Sequence, residues 1–130
     1  LVSDALAGAI AEKDYQEARD VQRPLLQQAY ADYFREHAVE AVVFPTTALL
    51  ARKLQADMST VELAGEQVPT FPAYIRNTDP ASNAGIPGIS LPAGQSSDGL
   101  SIGLELDGPA GSDRRLLAIA AAVEALLGTL

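Results

Sequence analysis

Two long stretches of helical periodicity bracket a middle punctuated by proline and glycine, and this alternation is the strongest constraint on the fold. In the first stretch Ala18, Val21, Leu25 and Ala29 recur at three- and four-residue spacing, as do Leu26, Tyr30 and Phe34. The spacing predicts a helix over about 14–37 with a wide apolar arc, hence well buried. Pro24 lies inside the pattern and is expected to kink it, because proline supplies no amide donor to its turn. Asp4 to Ala11 reads as a separate short helix. At the other end Leu116, Ala120, Val123 and Leu127 form an apolar stripe, predicting a helix over about 112–127. Ser112 is its expected cap, Asp113 suits its positive end, and Gly128 is its stop.

The middle reads as strands and short helices. Glu40 to Phe44 is nearly all apolar and partly β-branched, like a buried strand ended by Pro45. Thr60 to Val68 interleaves apolar and polar residues around Ala64-Gly65, a hairpin that leaves the core as an excursion. Thr70 to Ala84 is helical but interrupted by Pro72 and Pro80, with Gly85 a natural stop. Gly88 to Pro92 and Leu100 to Leu106 are two strands joined by the polar turn Gln95 to Gly99, an antiparallel pair. The expected class is α/β: a single domain over 1–130, with a partial mixed sheet covered by helices.

Composition bounds the function. With 9 basic and 17 acidic residues the chain carries a formal charge of −8, which lacks the electrostatic footprint of a nucleic-acid binder. No apolar run is long enough for a membrane span, and no signal peptide is visible. There is no cysteine, which excludes disulfides and thiolate chemistry and suits the cytoplasm. The lone histidine, His37, ends the first long helix, where a cation suits the helix dipole. Leu1 is not a methionine, so the chain is expected to be a fragment.

Few residues carry obvious chemistry. Ser96-Ser97 sits between Gln95 and Asp98 and reads as a polar turn. Lys13 and Lys53 are the only lysines, and both are expected in solvent. Asp79, Asp98, Asp107 and Asp113 are placed in loops or at helix starts, with no spacing that suggests a metal cage. No metal, cofactor or catalytic residue is assigned. The stretch from Ala73 to Gly88 is densely polar, through Arg76, Asn77, Thr78, Ser82 and Asn83. Such groups either line a pocket at the sheet's end or satisfy the backbone of an irregular helix.

Four blocks in order resemble the carboxyl-terminal part of the amidase signature family. They are Ala41-Val-Val-Phe-Pro-Thr-Thr47, Asn77 to Pro92 with its Gly85-Ile-Pro-Gly-Ile-Ser-Leu-Pro92 core, Gly99-Leu-Ser-Ile-Gly-Leu-Glu-Leu-Asp-Gly108, and the closing helix with Asp113, Leu116-Leu117 and Glu124. The strings Tyr74-Ile-Arg-Asn-Thr-Asp79 and Glu105-Leu-Asp-Gly-Pro-Ala-Gly-Ser-Asp113 are most similar to the mandelamide and indoleacetamide hydrolases of that family. Ser82 stands where relatives commonly have asparagine, and Ser101 where they have proline.

The resemblance implies the carboxyl-terminal part of the amidase signature fold. It also implies a parent that hydrolyses a small aryl-substituted carboxamide to acid and ammonia through a Ser–cis-Ser–Lys acyl-enzyme mechanism. The glycine-rich core that holds that triad is not in this sequence, so the chain is expected to be inactive alone and to need the amino-terminal catalytic half as partner. It further implies that Thr78 and Thr46 line the substrate channel, and that Tyr74 and Ile75 offer apolar contact to an aryl group. Unpaired strand edges predict self-association, most simply as a two-fold dimer. Two other readings stand beside this one: a truncated chain that only folds and self-associates, and a small α/β binding module unrelated to amidases.

Overall fold

The computed structural model describes residues 8, 10–55 and 57–128. The short helix expected over Asp4 to Ala11 lies outside the described residues except at its edge. The first long helix is α1 (Glu12–Glu17) and α2 (Arg23–His37), joined without a break by a π-helical turn, Ala18–Gln22. That turn is the form the disturbance at Pro24 takes. Proline offers no amide to the carbonyl of Asp20, and the ladder widens just before it, with the amide of Arg23 donating to the carbonyl of Ala18. α2 ends on Ala38 in the left-handed region, φ 51°. His37, at its last turn, packs its ring on Tyr33 with centroids 4.4 Å apart.

The next elements are β1 (Val42–Pro45), the hairpin β2 (Thr60–Leu63) and β3 (Glu66–Pro69), α3 (Thr70–Ile75) and α4 (Asp79–Ala84). Ala64 and Gly65 turn the hairpin at φ 53° and 87°, the paired positive angles that match the twist of a two-residue connection. α4 stops at Gly85, φ 74°, whose amide closes onto the carbonyl of Ala81. β4 (Gly88–Gln95), β5 (Ser101–Asp107) and α5 (Asp113–Leu127) complete the chain. The Ser96 side chain staples the β4–β5 turn by accepting from the amide of Leu100, so the serine pair is turn structure.

The sheet order is β1-β5-β4, and both hydrogen-bonded pairs are antiparallel. β1 and β4 thus run in the same direction, but β5 lies between them, so no parallel pair forms among the described residues. Alternation along the strands sorts the residues onto two faces. Leu91 and Leu106 face α5 and form the core with Leu116 and Ala120, flanked by Ala41, Ile89, Ile119 and Val123. The other face carries Glu105 and Asp107, and α2 lies beside it: Leu26, Ala29, Tyr30 and Tyr33 share a cleft with Val42. Gln27 ties α2 to α4 by donating to the carbonyl of Ala84 at 2.8 Å.

Three expectations are corrected. The first long helix is not well buried: of residues 12–37 Phe34 is the one that is buried, and Val21 and Leu25 of its apolar arc are 48% and 62% exposed, because α4 covers only one side of it. Ser112 stands at the cap position of α5, but its hydroxyl makes no cap bond. It is buried without a protein partner, turned toward Gly108, where an added Cβ would lie 2.6 Å from it. Asp107 is not a loop carboxylate. It is the last residue of β5 and only 1% exposed, because the strand continues one residue past Leu106.

Candidate functional site

The carboxyl end of β1 meets two other parts of the chain. The amide of Thr46 donates to the carbonyl of Gly103 on β5 at 3.0 Å. Its hydroxyl lies 2.5 Å from that of Ser90 on β4. The two hydroxyls meet over Gly103, where a Cβ would stand 2.7 Å from Thr46 Oγ1 and 2.9 Å from Ser90 Oγ. Only a residue with no side chain lets them approach.

The second meeting is with the segment after the hairpin. Asn77 Nδ2 donates to the carbonyl of Pro45 at 2.8 Å, and Tyr74 Oη donates to the carbonyl of Leu50, also at 2.8 Å. These two bonds brace the 45–50 loop against α3 and the turn that follows it. Thr46, Tyr74, Ile75 and Thr78, the four residues singled out from sequence, are thereby brought into one neighbourhood, each half-buried. Thr78 is the most occupied of them: its hydroxyl donates to the carbonyl of Ile75, and its own carbonyl accepts from the amide and hydroxyl of Ser82.

The polar stretch divides between its two readings. Ser82 and Asn83 spend their side chains on backbone carbonyls four residues earlier, at Thr78 and Asp79, and so satisfy α4. Asn77 alone among these makes a side-chain hydrogen bond to another element. Its long-range role carries no local signature, since an asparagine before a threonine is also an ordinary turn residue.

Behind the hydroxyl pair, on the same face of the sheet, stand Glu105 and Asp107, 9% and 1% exposed. Both reach over Gly88, at which a Cβ would lie 2.7 Å from Asp107 Oδ1 and 3.0 Å from Glu105 Oε1. Burial pushes the Asp107 carboxyl up to about 6, and the charge of Glu105 pushes it the same way. Tyr30 of α2 is also pushed up, by burial first and then by the charge of Asp107. The signal for this pair was readable: Glu105 and Asp107 are two apart in an apolar strand and so share a face. Among the described residues no group of three or more His, Cys, Asp or Glu is gathered to hold a metal ion.

A hydroxyl pair at a strand end, braced to a helix that carries a tyrosine and an isoleucine, is a polar corner beside an apolar wall. The family model for amidases matches residues 3–117. The chain belongs to the amidase family. Indoleacetamide hydrolase of Agrobacterium vitis is 50% identical over 115 residues, which cover 88% of this chain and 24% of that protein. Mandelamide hydrolase of Pseudomonas putida is 46% identical over 118 residues, covering 90% and 22%. A crystal structure of an amidase superposes with a TM-score of 0.81 at 33% identity, covering 92% of this chain and 26% of that one. This amidase-family chain therefore has the α/β fold of part of an amidase, and it spans about a quarter of the length of the relatives it matches. No helix among its described residues is long and apolar enough to cross a membrane.

Proposed function

We propose that this segment is the carboxyl-terminal part of an amidase that hydrolyses a small aryl-substituted carboxamide to the acid and ammonia. One observation supports this above the rest: over most of its length the chain is 50% identical to an indoleacetamide hydrolase and 46% identical to a mandelamide hydrolase. The Ser–cis-Ser–Lys triad would come from the amino-terminal catalytic half. The nucleophilic serine adds to the amide carbonyl while its proton passes through the bridging serine, and the amide nitrogen leaves as ammonia. Water then cleaves the acyl ester to the acid, with no metal or cofactor. In this scheme Thr46 and Thr78 line the channel, and Tyr74 and Ile75 contact the acyl group. The cysteine-free composition accords with a reducing, cytoplasmic setting.

The test is a chimera in which this chain replaces the matching quarter of the Agrobacterium vitis relative. Ammonia release from indoleacetamide is the expected result, and the segment alone should release none. A folded chimera that hydrolyses no amide at all would overturn the reading.

A second behaviour is proposed for the chain in isolation, from the exposure of β1. Val43 is 59% exposed, and the outer edge of β1 has no strand partner among the described residues. Such an edge pairs with a second copy. The isolated chain should elute as a dimer, and Val43→Lys should shift it to monomer by light scattering. An unchanged mass in the variant would move the contact elsewhere.

A further inference from the structure

We propose that Phe71 is a specificity-determining residue that receives the aryl ring of the substrate; this rests on the amidase reading above and extends it to a residue outside the motif blocks. α3 has two faces. Pro72, Ala73 and Arg76 turn toward the hairpin, where they line a shared cleft with Leu63, Val68 and Pro69. Ala73 is buried there. Phe71 precedes Tyr74 and Ile75 by three and four residues, a spacing that puts the three on the side of α3 away from the hairpin, and Thr78 follows in the turn after the helix. That second side is held to the 45–50 loop by the Tyr74–Leu50 and Asn77–Pro45 bonds.

The stripe grades from apolar to polar. Thr78 is at one end, next to Asn77, whose side chain holds Pro45, the neighbour of Thr46. Phe71 is at the other and 55% exposed, and Leu50, 41% exposed, is on the loop that Tyr74 holds. An aryl-substituted acetamide has the same polarity: a carboxamide that needs hydrogen bonds at one end, and a flat apolar ring at the other. The ring placed along α3 meets Phe71 one turn beyond Tyr74. An aromatic pair of this kind adds to simple area burial through edge-to-face or offset stacking. Tyr74 is less free to adjust, because its hydroxyl is committed to Leu50, so Phe71 is the position that sets the ring's fit.

The experiment uses the same chimera and compares indoleacetamide with acetamide, which has no ring. Phe71→Ala should lower kcat/KM for indoleacetamide by about tenfold, chiefly through KM, and leave acetamide within about twofold. Phe71→Tyr, which keeps the ring, should hold the ratio between the two amides. Binding of indoleacetic acid, the product that keeps the ring, reads the same contact without turnover when followed by calorimetry, and should weaken by about tenfold in Phe71→Ala. An unchanged indoleacetamide-to-acetamide ratio, or an equal loss for both substrates, would overturn the inference while leaving the amidase reading intact. A folded chimera that binds indoleacetamide in a Phe71-dependent way yet hydrolyses nothing would do the reverse.

Discussion

Replacing Gly103 by alanine will destabilise the segment by about 2 kcal/mol, the ordinary cost of forcing an atom into packed space. The new Cβ would lie 2.7 Å from Thr46 Oγ1, 2.9 Å from Ser90 Oγ and 3.1 Å from Thr46 Cβ. Both hydroxyls belong to short side chains on neighbouring strands, and the amide of Thr46 is itself bonded to the carbonyl of Gly103. Neither side chain has a long flexible stem with which to retreat. The hydroxyl pair must separate, and the end of β1 must shift with it. Alanine's better fit to a strand recovers a fraction of the loss. Urea denaturation reads the difference as a lowered midpoint at constant slope. Adding Thr46→Ala and Ser90→Ala removes the two colliding hydroxyls, leaves only the Cβ of residue 46 at 3.1 Å, and should return most of the stability to the glycine-to-alanine variant. If the triple variant is no more stable than Gly103→Ala alone, the clash is not the cause.

Asp107→Asn should stabilise the segment at neutral pH by about 3 kcal/mol, and the gain should vanish in acid. Asp107 holds its proton more tightly in the folded chain, up to about 6 against an ordinary 3.8, since burial and then the charge of Glu105 disfavour its ionised form. Below pH 3.8 the group is protonated in folded and unfolded chains alike and carries no penalty. Between 3.8 and 6 the unfolded chain releases a proton that the folded chain retains, so stability falls as pH rises. Above 6 the folded chain carries the full cost of a buried charge over Gly88. Asparagine keeps the shape, bears no charge, and can donate to Glu105. The difference in unfolding free energy between the variant and the parent should therefore open between pH 4 and pH 7. A difference that stays constant over that range would mean that Asp107 does not titrate as its burial requires.

Much of the local structure was legible because it depends on neighbours in sequence. The apolar stripe of α5, with Leu116 and Ala120 buried at its centre, follows from three- and four-residue spacing. The hairpin turn at Ala64-Gly65 and the stop at Gly85 follow from where the chain can take positive φ. Ser96 was readable as turn chemistry for the same reason. Pro24 was legible as a disturbance but not as its form, since a π turn and a kink both answer a missing amide. Asp107 was misplaced by one residue at a strand end. There a single step decides between a solvated loop carboxylate and one that is 1% exposed.

The candidate residues could be named from the sequence, but not their arrangement. Thr46 lies in one of the four blocks, and Tyr74, Ile75 and Thr78 lie in the string Tyr74 to Asp79. Nothing local says that Asn77 holds the end of β1, or that Phe71 continues the stripe of Tyr74 on the side of α3 away from the hairpin.

By itself, then, the sequence determined which segments are helix or strand, where they must turn, and to which family their order belongs. Each of these is set by backbone preferences and periodicities within a few residues. The tertiary structure alone decided that β5 lies between β1 and β4. That choice pairs groups 44 residues apart at Thr46 and Ser90 and seals Glu105 and Asp107 over Gly88. Sheet order is chosen by the burial of whole faces, Leu91 and Leu106 under α5 and the acidic pair beside α2, and no local stretch of the chain contains both sides of that contact.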